Sequence, residues 1–172
     1  WIPGEVGASA VQNIGAYGAE AKDVIAEVET LEIATGDVRI FTTEECEYGY
    51  RDSIFKQSLK GKYIVTSVTF RLDKAPVFRL DYGNLRSALP QGEAVTLQAV
   101  RDTVIAVRRS KLPEPEELGS AGSFFMNPVI PVEKYEALKL HYPDMPCYPV
   151  DESRVKVPAG WLIDRCGWKG KS

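Results

Sequence analysis

The chain has 172 residues, 44% of them hydrophobic and 26% charged, and a formal net charge of −3, enough apolar material for one globular domain or two small ones and no mark of disorder. The acidic balance excludes a generic nucleic-acid or membrane-surface binder, so any anionic ligand is met by a few placed cations. Cys46, Cys147 and Cys166 form no Cys-x-x-Cys pair, which excludes a disulfide framework and a zinc site and fits a reduced setting. No apolar run approaches the roughly 20 residues that span a bilayer, and no charged segment followed by an apolar one opens the chain. The protein therefore reads as soluble and cytoplasmic, and its start at Trp1 reads as the edge of a longer protein.

Residues 1–18 carry glycines at positions 4, 7, 15 and 18 and a Gln12-Asn13 pair. The stretch is too irregular for helix or strand periodicity and predicts a binding loop. Glycine leaves no Cβ to hold a ligand away, so the main chain can lie against a flat or phosphorylated cofactor. A glycine-rich connector between strands fits the same spacing. From Val24 to Ile33 the alternation predicts a half-buried strand, closed by Thr35-Gly36-Asp37 and followed by Val38-Arg39-Ile40-Phe41 as the second arm of a hairpin. Thr42 or Thr43 with Glu44 and Glu45 reads as the capped start of a short helix through Cys46. Lys62 to Leu72 is rich in β-branched residues and predicts another strand, implying two antiparallel layers.

Thr96 to Arg109 carries Leu97, Val100, Val104, Ile105 and Val107 at helical spacing and predicts an amphipathic helix. Lys111 to Leu118, with two prolines and three glutamates, suits an exposed connection between lobes. A helix from Val132 to His141 after Pro131, a proline-rich crossing at 143–149 and a helix start at Pro158-Ala159-Gly160 complete the pattern.

Two segments carry candidate chemistry. In Tyr48-Gly49-Tyr50-Arg51-Asp52-Ser53 an arginine sits among aromatic and polar neighbours, where a guanidinium can stabilise developing negative charge; an ordinary Arg51-Asp52 surface pair fits as well. In Gly122-Ser123-Phe124-Phe125 a hydroxyl beside two bulky rings can deliver a proton at a shielded site, or can cap a turn. No Gly-x-Ser-x-Gly elbow surrounds Ser123 and the single histidine, His141, reads as a solvated helix end, which speaks against a hydrolase. Lys111 suits a phosphate or a solvated linker. Phe124, Phe125, Trp161 and Trp168 read as core.

Ile2-Pro3-Gly4 with Gln12-Asn13-Ile14-Gly15-Ala16-Tyr17-Gly18, then Tyr48-Gly49-Tyr50-Arg51-Asp52-Ser53, then Gly122-Ser123-Phe124-Phe125 with Asn127-Pro128, in this order, resemble the UDP-N-acetylenolpyruvoylglucosamine reductase family. Ala159-Gly160-Trp161-Leu162-Ile163-Asp164 extends the match, and Leu80-Asp81-Tyr82-Gly83-Asn84-Leu85 resembles the tyrosine-bearing loop of one of its subtypes. The resemblance implies a flavoprotein of bacterial peptidoglycan synthesis that uses NADPH and FAD to reduce an enolpyruvyl UDP-sugar to UDP-N-acetylmuramate. By position, Arg51 then matches the family's charge-stabilising arginine and Ser123 its proton donor. Gly4, Gly7, Ser9, Gln12, Asn13 and Gly15 match its FAD-facing loop; Tyr17, Tyr50, Tyr82, Lys111 and Asn127 match substrate positions, with Tyr82 as a lid residue.

The resemblance further implies an α+β, two-lobed architecture, with residues 1–108 as the second half of an FAD-binding domain and 109–172 as most of a substrate-binding domain. Met126 departs from relatives that carry a lysine there. The family's glycine-rich FAD pyrophosphate loop precedes the matched stretch and its catalytic glutamate follows it. The chain by itself is therefore expected to bind FAD weakly or not at all, to be inactive, and to self-associate through an uncovered sheet edge. A noncatalytic flavin or nucleotide-binding module, and another FAD-dependent oxidoreductase of the same fold, are the alternatives. The second lacks counterparts of the Gly-Ser-Phe-Phe and Tyr82 segments.

Overall fold

A computed structural model describes residues 4–92, 94–114, 116–119 and 124–169. The chain forms two compact units, Trp1–Gly119 and Ser120–Ser172, and each is α+β.

The first unit opens on helix α1 (Val6–Gln12), where the sequence predicts an irregular loop. The glycines that spoil the periodicity fall in or before its first turn and after its last, which leaves Ala8-Ser9-Ala10-Val11-Gln12 free of breakers. Ser9 and Ala10 face inward, and the helix stops at Asn13, which turns left-handed at φ 46°. Two short strands follow, β1 (Gly15–Ala16) and β2 (Ala19–Glu20), joined across Tyr17 and Gly18. Both loop residues have positive φ, 53° and 78°, as a tight primed hairpin turn requires. Glycine suits this; Tyr17 does not, and it is held there by packing described below.

Strands β3 (Ile25–Glu32), β4 (Val38–Thr42) and β5 (Tyr63–Phe70) form one antiparallel sheet in the order β4-β3-β5. The predicted strands are present, but they share a sheet rather than making two layers, because β3 pairs on both sides: Val28 stands opposite Phe41 and opposite Val68. The inner face carries Ile25, Val28 and Phe41, packed with Ala10, Cys46 and Phe55. Phe41 meets Phe55 and Tyr63 edge-on at centroid distances of 5.2 and 5.3 Å, a favoured aromatic geometry. The outer face leaves Val38, Ile40 and Ile64 exposed.

Residues 43–47 make turns instead of the predicted short helix. Thr42 and Glu45 do close the reciprocal cap, Thr42 N–H donating to Glu45 Oε2 at 2.9 Å and Glu45 N–H to Thr42 Oγ1 at 3.3 Å. Glu47 then turns left-handed at φ 47° and ends the coil after one turn. A 3-10 turn, Ile54–Lys56, follows. Beyond β5 come α2 (Leu85–Ala88) and α3 (Leu97–Arg109). Thr96 caps α3: its Oγ1 accepts from Ala99 N–H at 3.1 Å. Its apolar row meets Leu80, Leu85, Leu89, Phe78 and Tyr17.

In the second unit, β6 (Val129–Pro131), α4 (Val132–Lys139), β7 (Tyr148–Pro149), β8 (Arg154–Lys156) and α5 (Ala159–Arg165) build a three-stranded antiparallel sheet, order β6-β8-β7, with two flanking helices. Tyr135, Met145, Val155 and Val157 form its core, and the Tyr135 hydroxyl donates to Met145 O at 2.9 Å. Strands this short carry no readable alternation, so β7 is hidden in the predicted proline-rich crossing. Phe124, Phe125 and Trp168, read as core from the sequence, are 90%, 61% and 63% exposed. With Met126, Leu162, Ile163 and Cys166 two of these rings line an open apolar groove instead. Among the described residues, no helix is long and apolar enough to cross a membrane.

Candidate functional site

Of the predicted residues of the first unit, Gln12, Asn13, Gly15, Tyr50 and Arg51 come together where the end of α1 meets the segment 49–56. Gly49 and Asp52 bond reciprocally, Gly49 N–H to Asp52 O at 3.1 Å and Asp52 N–H to Gly49 O at 3.3 Å. Tyr50 and Arg51 form the tip of that turn, and Arg51 takes a left-handed φ of 55°. Its guanidinium lies 5.4 Å from the Tyr50 ring centroid. It donates to Asn13 O at 3.3 Å and makes a second, short bond to Gly15 O. The Arg51-Asp52 surface pair that the sequence allows is not formed: Asp52 accepts from Ser53 N–H at 3.0 Å and from Gln57 Nε2 at 2.8 Å.

Further side-chain bonds, from Asn13, Ser53 and Lys56, fasten the turn to the helix end. Asn13, fully buried, donates from Nδ2 to Gly49 O at 2.8 Å and to Glu20 Oε2 at 3.2 Å, while its Oδ1 accepts from Lys22 N–H at 3.0 Å. The Ser53 hydroxyl donates to Val11 O at 2.7 Å. Lys56 Nζ donates to Gln12 Oε1 at 2.7 Å. The Ser9 hydroxyl turns back to Val6 O at 2.5 Å. The side chains of Ser9, Gln12 and Asn13 are thus committed to holding the loop, and the surface they hold out is main chain. Gly15 is required sterically: a Cβ there falls 2.6 Å from Ala19 O and 3.2 Å from Arg51 Nη1.

Beside Gly15 runs an open groove of about 530 Å³ whose lining includes Ser9, Ile14, Gly15, Phe70 and Arg108. Arg108 Nε is buried and has no hydrogen-bond partner among the described residues. A buried, unpaired guanidinium N–H costs about 1–3 kcal/mol, so a ligand acceptor at this wall is favoured. The helical spacing carries a signal for Arg108. Val100, Val104 and Arg108 follow one another at i+4, which puts a cation at the end of the row that packs inward.

Tyr17 and Tyr82 meet edge to face, centroids 6.2 Å apart. The loop that bears Tyr82 is tied down by Arg79, which donates to Gly18 O at 3.1 Å and pairs with the Asp23 carboxylate. Burial pushes Asp23 upward, but the Glu20 N–H and Arg79 outweigh it and hold the carboxyl below its ordinary value. Lys111 is exposed two residues past the end of α3. In the second unit, Asn127 Oδ1 accepts from Ala159 N–H at 2.8 Å and so anchors the start of α5. Ser123 and Gly122 lie outside the described residues.

The C-terminal domain family of UDP-N-acetylenolpyruvoylglucosamine reductase matches residues 114–172. The UDP-N-acetylenolpyruvoylglucosamine reductase of Bacteroides fragilis is 56% identical over 171 residues, 99% of this chain and 51% of that protein. The reductase of Porphyromonas gingivalis is 50% identical over 170 residues, 98% of this chain and 50% of its own length. The crystal structure of the Thermus caldophilus reductase superposes with a TM-score of 0.57 at 24% identity, covering 99% of this chain and 44% of that one, which is a likeness of fold. The chain spans about half the length of the curated relatives it matches, and along that half it belongs to the UDP-N-acetylenolpyruvoylglucosamine reductase family.

Proposed function

We propose that this chain is the charge-stabilising part of a cytoplasmic, flavin-dependent reductase that converts UDP-N-acetylenolpyruvoylglucosamine to UDP-N-acetylmuramate with NADPH, for peptidoglycan synthesis. The observation that carries the reading is the pair of guanidinium groups near Gly15: Arg51, fixed to its carbonyl, and Arg108, on the wall of the adjoining groove with an Nε that has no partner among the described residues. A flat, acceptor-rich ring suits such a wall. FAD, when bound, supplies hydride; the main chain of Gly4, Gly7 and Gly15 with Arg108 would hold it, and Ser9, Gln12 and Asn13 shape that main chain. Arg51 stabilises negative charge at the enolpyruvyl carboxylate, because a guanidinium stays ionised and its position is fixed before the substrate arrives. Ser123 gives the proton. Tyr17, Tyr50, Tyr82, Lys111 and Asn127 are proposed substrate positions. In this reading residues 1–108 continue an FAD-binding domain and 109–172 a substrate-binding domain.

In the whole reductase, Arg51→Met is expected to lower kcat for UDP-sugar-dependent NADPH oxidation by about 10²–10³-fold, the usual cost of removing one preorganised charge-stabilising donor. Anaerobic reduction of the bound flavin by NADPH keeps its rate. Unchanged kcat removes Arg51 from the mechanism, and a wild-type protein that ignores the UDP-sugar overturns the reading itself. The 172-residue chain alone, about half the length of the relatives it matches, is expected to yield no one-to-one FAD complex on gel filtration at micromolar concentration. A yellow stoichiometric complex contradicts this.

A further inference from the structure

Arg51 adopts a backbone conformation that costs a residue with a Cβ about 1–2 kcal/mol, at φ 55°. The two bonds between Gly49 and Asp52 fix the ends of the turn but leave the carbonyl at its tip outside the ladder. Lys56 reaches that carbonyl: Nζ donates to Arg51 O at 2.5 Å and to Gln12 Oε1 at 2.7 Å. The base of the Lys56 side chain is itself fixed, since its neighbour Phe55 is 7% exposed and packs in the core. Among the described residues no carboxylate pairs with the ammonium. Its charge is directed at two neutral oxygens, one on each of the segments that Arg51 bridges, and charge-assisted bonds of this kind are about twice as strong as neutral ones.

We propose that Lys56 is the positioning residue for Arg51. The ammonium pins the tip of the turn to α1, and the guanidinium is thereby presented at the carbonyls of Asn13 and Gly15. The consequence for turnover rests on the role given to Arg51 above; the positioning itself does not.

The test reads the Arg51 side chain directly by 15N NMR on the full chain, with no ligand. In the wild type the Arg51 Nη–H signals, from the nitrogens bonded to Asn13 O and Gly15 O, are expected to be dispersed and to exchange slowly. In Lys56→Met their exchange is expected to be at least about tenfold faster, the loss of one charge-assisted bond, and in Lys56→Arg it stays slow. A lysine that merely adds stability lowers the melting temperature and leaves the Arg51 signal where it was, and that result overturns the proposal. Should Lys56→Met lose the signals of the Val28 and Phe41 core, Gln12→Met decides: faster Arg51 exchange with an intact core supports the proposal, and unchanged exchange overturns it. Altered Arg51 exchange combined with wild-type turnover in the whole reductase keeps Lys56 as a positioning residue and removes the catalytic role of Arg51 instead.

Discussion

Asn13→Ala is expected to cost about 3–5 kcal/mol of folding stability, although it removes only one polar amide at the end of a short helix. The amide is completely buried; its loss strands Lys22 N–H, the partner at 3.0 Å, at about 1–3 kcal/mol, and removes the 2.8 Å bond to Gly49 O, which keeps Asp52 N–H, at about 0.5–1.5 kcal/mol. Alanine at φ 46° adds roughly 1 kcal/mol that asparagine largely avoids. The check is urea unfolding, with a lower midpoint at unchanged slope. Asn13→Asp separates the contributions, since it keeps the acceptor for Lys22 N–H and loses both amide donations. A loss under about 1 kcal/mol for Asn13→Ala would mean that water replaces the amide. The same substitution loosens the Asn13 carbonyl to which Arg51 is bonded, so stability and the placement of the guanidinium fall together.

Where the physics is local, the sequence was explicit. Alternation from Val24 to Ile33, the Thr35-Gly36-Asp37 turn and the helical spacing from Thr96 to Arg109 each depend on residues a few positions apart, and each appears within a residue or two of where it was expected. The site is different because its bonds join residues far apart in the chain. Lys56 lies 44 residues from Gln12, Arg51 lies 36 from Gly15, and Ser53 lies 42 from Val11. No periodicity announces such pairs, so Arg51 could be read as a surface ion pair and Lys56 passed without notice. Left-handed backbone at Tyr17, Glu47 and Arg51 is equally silent, since these residues do not favour it and only tertiary contacts hold them there. In the opening segment the error ran the other way. The glycines drew attention as ligand-facing groups and hid a helix whose short run of small residues buries only Ser9 and Ala10.

Phe41→Ala is expected to cost about 3–5 kcal/mol, the range for deleting a buried phenylalanine side chain, and to reach the site through the core. The ring is fully buried, edge-on to Phe55 and Tyr63, and Arg39 lies over it at 4.1 Å from the centroid. Phe55 occupies the middle of the 3-10 turn that ends at Lys56. Removing the Phe41 ring therefore takes away the wall against which that turn is set, and the Lys56 ammonium loses its fixed base before the sheet itself gives way. Phe41→Leu keeps most of the apolar volume and forfeits mainly the aromatic pairs, about 0.5–1.5 kcal/mol each. Denaturant melts give the ordering, wild type above Leu above Ala. Hydrogen exchange at the Arg51 Nη–H groups under native conditions gives the coupling: it should speed up in Phe41→Ala and stay nearly wild-type in Phe41→Leu. Equal exchange in all three would detach the core from the turn and leave the bonds to α1 as the sole support of Arg51.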